Sequence, residues 1–452
     1  MVTDTIAAIA TALGRGAVGV IRVSGAGVPQ IAQSMLGHLP PPRVAQVAHF
    51  LGSDGDSIDQ GLALYFPAPA SYTGEHVLEL QGHGGILVLD LLLKRLLELG
   101  CRMAKPGEFS ERAFLNGKID IAQAEAIADL IDAGSAAAAR AAVRSMQGQF
   151  SAHVNALQAQ ITELRTLVEA AIDFPDEELD FLPGSVLGDR IAKIFIGFDG
   201  IFAAARQGAL LREGLNVVIA GKPNAGKSSL LNRLAGDEIA IVTEQPGTTR
   251  DVLRQQVHLD GLPVNLIDTA GLRATADVVE AEGVRRAVAE LGRADRVLYM
   301  LDAAASVGDS SASDLAAELK EMPQGVPVTL IFNKIDLSGV QSSVDESRDP
   351  PQVFLSAKTG AGLDLLRAHL KSRAGYHSEE SGALAARRRH LDALNRARSS
   401  VEQAAQTLTA SRAFELFAED LRRAQLALGE ITGEFTSDDL LGQIFSSFCI
   451  GK

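Results

Sequence analysis

The sequence predicts a multidomain chain of α/β and α character. An N-terminal α+β domain comes first, then a discontinuous helical domain with a P-loop nucleotide-binding domain inserted between its two segments. Three observations predict this. Residues 216–231, NVVIAGKPNAGKSSLL, read as a strand, a G-x-x-x-x-G-K-[ST] loop and a helix. Composition shifts to Ala, Leu, Gln and Glu with helical periodicity from Ile119 to about Leu211, and helical character returns from about Ala383 to Leu428. Before Ile119, short β-like runs alternate with Pro/Gly turns. The boundaries that follow are 1–117, 118–213, 214–376 and 377–452, with polar or Gly-bearing junctions at 208–214 and 377–382.

In the first segment, Val18 to Val23, Gly61 to Phe66 and His76 to Gln81 read as strands, and Gly85 to Leu99 as an apolar helix. Gly14, Gly16 and Gly19 match G-x-G-x-x-G, but they lead into a strand rather than a helix, and Pro-rich sequence follows where an acidic ribose ligand belongs. A dinucleotide site is therefore not expected. His83, between Gly82 and Gly84, has no second His or Cys at ligand spacing and reads as structural. In the helical segment, AQAEAIADLIDA and NALQAQITELRTLVEAAI are amphipathic, and the acidic elbow Asp173 to Glu178 ends the second, either as a solvated interhelical turn, the favoured reading, or as a functional surface.

The inserted segment carries four motifs in order. In the P-loop the glycines let backbone N–H groups converge on one phosphate chain, and the helix N-terminus adds its positive end. Asn224, Ala225, Gly226, Lys227, Ser228 and Ser229 are the expected phosphate contacts, Lys227 reaching the β/γ-phosphates and Ser228 ligating Mg²⁺. Asp268-Thr269-Ala270-Gly271 follows the apolar run Val264 to Ile267; Asp268 is placed to hold Mg²⁺ through water and Gly271 to offer an N–H to the γ-phosphate. Asn333-Lys334-Ile335-Asp336 follows Val328 to Phe332. A carboxylate at Asp336 accepts the N1–H and exocyclic amine of guanine, a donor pair adenine lacks. Ser356-Ala357-Lys358 follows Val353 to Leu355 and covers the base from the other side. Together these predict a GTP-binding domain and resemble the Ras-like GTPases.

Inside that domain, Leu272 stands where many Ras-like proteins orient water with a Gln, and an aliphatic side chain cannot hold water. The segment Thr243, Glu244, Gln245, Pro246, Gly247, Thr248, Thr249 is rich in oxygen ligands, Thr249 being the Mg²⁺-sensing threonine of a first switch. Asn224 either binds a monovalent cation beside the phosphates or caps the turn. Glu280 either orients water or acts as a base, or else pairs with a helix N-terminus.

The chain has 452 residues, 46% of them hydrophobic, with formal net charge −14 and two cysteines, Cys101 and Cys449. Length predicts about three domains. The acidic balance advertises no broad nucleic-acid face, and the best local basic patch, Arg387-Arg388-Arg389-His390 with Arg396 and Arg398, is either a solvated helix face or an RNA contact. No stretch reads as a transmembrane span, no signal peptide precedes the first domain, and two distant cysteines suit a reducing compartment, so a cytoplasmic protein is expected. The terminal CIGK has the shape of a prenylation signal but ends in Lys, which argues against prenylation.

A more specific resemblance rests on the inserted GTPase, the G-T-T-R-D switch at 247–251 and the terminal Phe448-Cys449-Ile450-Gly451-Lys452. Residues 78–85, 106–114 and 433–439 agree with it. The chain resembles the bacterial tRNA-modification GTPase family MnmE (TrmE) along essentially its whole length. The resemblance implies a K⁺-activated GTP hydrolase that works with the flavoprotein MnmG on C5 of the wobble uridine of certain tRNAs. It implies 5,10-methylenetetrahydrofolate as one-carbon donor, with 5-formyltetrahydrofolate as an analogue, and an N-terminal domain that binds folate and dimerises, the homodimer joining MnmG in a heterotetramer or larger complex. It implies K⁺ at Asn224, Thr243, Gln245 and Thr248, although the family uses backbone carbonyls at the Gln245 position. It further implies Mg²⁺ at Ser228 and Thr249, hydrolysis through water at Glu280, and folate at Arg22, Glu79, Lys118 and Lys452. Glu79 suits the guanine-like donor pair of a pterin, though each of these four also reads as an ordinary surface ion-pair residue. Cys449 is either a reactive thiol near a one-carbon donor or a small packed side chain. An RNA- or ribosome-binding assembly GTPase is the competing class, and a membrane-remodelling GTPase is disfavoured by the acidic charge.

Overall fold

The computed structural model describes residues 4–12, 14–173, 184–236, 254–268, 294–304, 315, 319, 325–376, 382–410, 413–434 and 438–451. The chain divides into two compact units, one of residues 1–128, 145–198 and 392–452, the other of residues 129–144 and 199–391. This division by packing shares the helical segments between the units.

In the first unit, strands β1 (Ile6–Ile9), β2 (Val18–Ser24), β3 (Gln46–Leu51), β4 (Ser57–Phe66), β5 (Val77–His83) and β6 (Arg102–Met103) form a sheet in the order β3-β4-β5-β2-β1-β6. Helices α1 (Val28–Leu36) and α2 (Ile86–Glu98) bury one face of it. In α2 the apolar stripe Leu89, Leu92, Leu93 and Leu96 repeats at helical spacing, and it packs with Ile21, Val23, Leu78 and Leu80. The Gly-rich run leads into β2 as expected, and Gly19 within the strand leaves room for the Leu89 side chain, whose Cδ2 would lie 2.6 Å from a Cβ there. On the other face, α3 (Glu108–Leu115) lays Phe109 against Ile6, Ala8 and Ala104.

Helices α4 (Ile121–Ile131), α5 (Ala136–Met146), α6 (Gln149–Asp173) and α7 (Gly184–Glu213) follow. In α6 the buried residues are Phe150, Val154, Leu157, Ile161, Leu164 and Val168, a 4-3-4-3-4 spacing that makes a coiled-coil seam. The chain later returns to this unit with the same rhythm: Leu394, Ala397, Val401 and Ala404, then Phe417, Leu421, Ala424, Leu428 and Ile431. Cross-bonds close the bundle, with Arg190 on Glu163, Arg398 over Phe195, Arg396 on Glu430 and Arg165 on Gln425.

Among the described residues, one helix meets the length and composition of a membrane span. Val186–Glu213 is long and apolar enough, by length and composition alone, to cross a membrane. Its spaced apolar residues Leu187, Ile191, Ile194 and Phe198 are buried in the protein, so one stripe of the helix packs against the core while Ile196 on another face is exposed.

In the second unit, β7 (Leu215–Gly221), helix α8 (Lys227–Gly236), β8 (Arg254–Leu259), β9 (Leu262–Asp268), β10 (Arg296–Asp302), β11 (Val328–Asn333), the short helix α9 (Ile335–Ser338), β12 (Ser343–Asp345), β13 (Gln352–Phe354) and helix α10 (Leu363–Arg373) follow in order. The sheet order is β12-β13-β11-β10-β7-β9-β8, parallel from β13 to β9 with an antiparallel strand at each edge. Both faces are covered, so its central strands are apolar without alternation: Val217 and Ile219 enter one core, Val218 and Ala220 the other. After α10 an apolar strap, residues 383–386, forms neither helix nor strand where the sequence predicts helix. Gly208 permits this, since a Cβ there would lie 1.6 Å from Leu384 O. Helices α11 (Arg388–Ala410), α12 (Phe414–Thr432) and α13 (Asp438–Ser446) complete the chain.

Candidate functional site

The carboxyl ends of the parallel strands place the P-loop and the two base-side motifs together, as open α/β sheets do with their ligands. At the end of β7, Gly221 has φ +136° and passes under β10; a Cβ there would lie 2.3 Å from Met300 O. Asn224 is left-handed at φ +64° and Gly226 at +99°. A Cβ on Gly226 would lie 2.2 Å from Asn333 Nδ2, so the close approach of loop to strand requires glycine. Lys227 donates from Nζ to the carbonyls of Gly221 and Lys222, 2.9 Å each, which folds its ammonium back over the loop. Ser228 and Ser229 are exposed on the first turn of α8.

Asn333 ties the motifs to one another. Its side chain is buried; Nδ2 donates to Ala225 O at 2.8 Å and Oδ1 accepts from the Ala357 N–H at 2.9 Å. Both ends of the amide are thus used by the protein, so Asn333 organises the base site from behind. Asp336 is exposed, and its Oδ1 accepts from Ser356 Oγ at 2.6 Å, leaving Oδ2 for a ligand. Lys334 bonds Asp302 at the end of β10, a residue that no motif in the sequence marks. The available signal is a polar residue ending an apolar strand, the pattern shared by Asp268 and Asn333. Ile335 and Ala357 are buried and Lys358 is exposed.

The side chain of Asp268 and the residues Thr243, Glu244, Gln245, Pro246, Gly247, Thr248, Thr249, Thr269, Ala270, Gly271, Leu272, Glu280 and Lys452 lie outside the described residues. So does the elbow from Phe174 to Glu178.

In the first unit, Arg22 and Glu79 are direct cross-strand partners on β2 and β5. Arg22 Nε and one terminal nitrogen both fall on Glu79 Oε1 at 2.9 Å, leaving Oε2 for another donor. The guanidinium rests over the rings of Tyr72 and Phe109, 5.6 and 5.8 Å from their centroids, which fixes its plane. Nothing in the sequence singles out Tyr72 and Phe109, because only the fold brings them under Arg22. Lys118 is exposed on the loop after α3 beside Gly74. The terminal residues return to this domain: the Gly107 N–H donates to Cys449 O at 3.3 Å, and Gly451 lies against the end of β1, where a Cβ would be 2.4 Å from Ile9 O. Cys449 is exposed, whereas burial pushes the Cys101 thiol up to about 12 and leaves it inert.

His83 Nδ1 lies 2.8 Å from Asp59 Oδ1, and the His83 N–H donates to Asp59 Oδ2 at 2.8 Å. In the basic run Arg387 pairs with the buried Asp129, Arg396 and Arg398 form surface pairs with Glu430 and Glu402, and Arg388 is exposed.

A P-loop bolted by an asparagine to an N-K-x-D loop and an S-A-K loop defines the class: a GTP-binding P-loop protein. Comparisons with known proteins narrow it. The model of the MnmE helical domain matches residues 121–449, and that of the GTP-binding protein TrmE N-terminus matches residues 5–118. A tRNA modification GTPase MnmE of Proteus mirabilis is 56% identical over 451 residues, covering 100% of this chain and 99% of its own. One of Methylococcus capsulatus is 56% identical over 450 residues, covering 99% of each. The chain belongs to the MnmE family of tRNA modification GTPases, and it is a GTP hydrolase.

Proposed function

We propose that this GTPase drives modification of C5 of the wobble uridine in certain tRNAs. It installs an aminomethyl or carboxymethylaminomethyl group together with the flavoprotein MnmG, and takes the carbon from methylenetetrahydrofolate. Full-length identity to named tRNA modification GTPases supports the tRNA substrate. The Arg22–Glu79 pair carries the folate reading: an oriented carboxylate oxygen and a ring-supported guanidinium are the donor and acceptor set that a pterin edge needs. Lys118 and Lys452 serve the anionic part of that cofactor, and Cys449 lies on the returning tail beside Gly107.

In the nucleotide unit, the P-loop N–H groups and Lys227 bind the phosphates, and Asp336 accepts the two guanine donors. The exposed Ser228 hydroxyl on the first turn of α8 fits a hard cation, and with Thr249 it would hold Mg²⁺, which supplies charge neutralisation on the β- and γ-oxygens. Asn224, with Thr243, Gln245 and Thr248, would hold K⁺ at the same phosphates. Glu280 positions the attacking water. The chain works in the cytoplasm as a homodimer formed through the N-terminal domain, within a heterotetramer or larger assembly with MnmG.

Titration calorimetry with 5-formyltetrahydrofolate tests the reading. Binding that Arg22→Ala and Glu79→Ala each abolish is expected. Absence of heat at high folate concentration overturns it in favour of an RNA-binding assembly GTPase. Hydrolysis in K⁺ is expected to exceed that in Na⁺, and equal rates remove Asn224 from its role.

A further inference from the structure

Lys334 holds a conformation that L-residues seldom adopt, φ +67°, immediately before α9. A non-glycine residue there is strained and persists only where its surroundings over-determine it. The surroundings are specific. Lys334 Nζ donates to Asp302 Oδ2 at 2.7 Å. The other carboxylate oxygen, Oδ1, is already fixed by the Ala304 N–H at 3.0 Å, so the acceptor is set before Lys334 arrives. Asp302 is the register partner of Asn333 across the parallel β10–β11 pair, and the Ala303 N–H donates to Asn333 O at 2.8 Å. One strand end therefore grips both residues at the head of the loop that carries Asp336. That left-handed step at Lys334 turns the chain so that Asp336 meets Ser356 while Asn333 stays bound to the P-loop.

We propose that Asp302 is a positioning residue of the guanine site. Acting through Lys334, it sets the geometry of residues 333–336 and hence the affinity for guanine nucleotides, without a part in hydrolysis. The inference rests on the reading that Asp336 receives the guanine base. Its removal leaves the strained turn without its charged anchor, and the cost appears in nucleotide binding.

The experiment uses the full chain, with GDP affinity measured by calorimetry, kcat at saturating GTP, and thermal melting. Asp302→Ala is expected to weaken GDP binding about 5- to 20-fold, the worth of one partly exposed charge-assisted hydrogen bond, with kcat changed less than about 2-fold. Asp302→Asn keeps an oxygen for Lys334 and falls between the two. Glycine takes positive φ without strain, so in a Lys334→Gly background Asp302→Ala is expected to shift affinity by less than about 2-fold, the coupling that marks action through Lys334. That background also decides the matter if Asp302→Ala alone melts early. Unchanged GDP affinity in Asp302→Ala, an equal loss in kcat, or an undiminished effect in the glycine background overturns the proposal. Asp336→Asn run in parallel tests the underlying reading: the amide should favour xanthosine diphosphate over GDP, and no such exchange removes the base site itself.

Discussion

The nucleotide loops and the Arg22–Glu79 surface are built on opposite plans. At the ends of parallel strands, contacts lean on backbone: carbonyls receive Lys227, Ala225 O receives Asn333, Gly221 brings main chain against main chain, and Gly226 lets the loop close on the Asn333 side chain. In the middle of the antiparallel sheet, backbone groups are spent on the ladder, so only side chains point outward, and chemistry rests on a cross-strand pair supported by two rings. A loop-end site is set by the conformation of its loops and by the residues that tie them together. A sheet-face site is set by register and changes only if the strands slip.

The largest expected effect lies on the loop side. Glu280→Ala should lower kcat by roughly two to four decades, the worth of a positioned acid–base or water-orienting group, with GTP affinity nearly unchanged; single-turnover hydrolysis measures it. Full turnover would place the water-orienting role elsewhere. Next, two glycine substitutions separate the plans. Gly226→Ala forces a Cβ toward Asn333 Nδ2, and should abolish tight nucleotide binding while the melting of the N-terminal domain stays put. Gly61→Ala forces a Cβ to 2.1 Å from Gln81 O, inside the β4–β5 ladder. It should cost about 2–4 kcal/mol of stability in the N-terminal domain, as overpacking against backbone does, and spare GTP binding. Denaturant melts and GDP titrations on both variants decide whether the effects separate in this way.

The same contrast governs how much of the molecule is legible in its sequence. Backbone-made sites leave contiguous signatures: residues 221–228 need glycine, lysine and serine at fixed spacing, and Asn333 to Asp336 sit at the end of an apolar run, so local pattern alone locates both. Neither Tyr72 nor Phe109 carries a local signal of lying under Arg22, and the pairing of Arg22 with Glu79 depends on a strand register that no local pattern fixes. Asp302 ends an apolar run as Asp268 does, yet its role depends on the backbone angle of Lys334, a residue on another strand's exit. In the strap at 383–386 the alanines favour helix, and packing on Gly208 overrides that propensity to keep it irregular.

Arg22→Lys sharpens the sheet-face half. Lysine keeps the charge but lacks the planar fork that bonds Glu79 while lying on two rings. Affinity for 5-formyltetrahydrofolate should fall about 10-fold, the loss of one charge-assisted hydrogen bond with its geometry, and GTP hydrolysis by the free chain should not change. Equal folate affinity would show that charge alone suffices there.

The smallest effect concerns the ion-pair cluster behind that surface. Arg112 is buried and bonds Glu75, Asp4 and Glu108, and Arg102 bonds Glu108 and Asp4. Burial alone would raise the Glu108 carboxyl, but Arg102, the Lys105 N–H and Arg112 together hold it below its ordinary value of 4.5. At Asp4 the Arg102 bond is the largest influence, and it too lies below its usual range. A carboxyl depressed in the folded state contributes stability that is fully present above its unfolded pKa and is lost as pH falls through the folded one. Stability of the N-terminal domain should therefore hold from neutral pH down to about 5 and decline below the ordinary carboxylate range. Glu108→Gln, which keeps an acceptor and removes the titration, should be less stable at neutral pH and show a shallower acid decline. The two proteins should converge at the acid end, because protonated Glu108 and glutamine then present Arg102 and Arg112 with the same neutral oxygen. Urea melts of both across that range are the measurement, and parallel curves would mean that the decline comes from the remaining carboxylates.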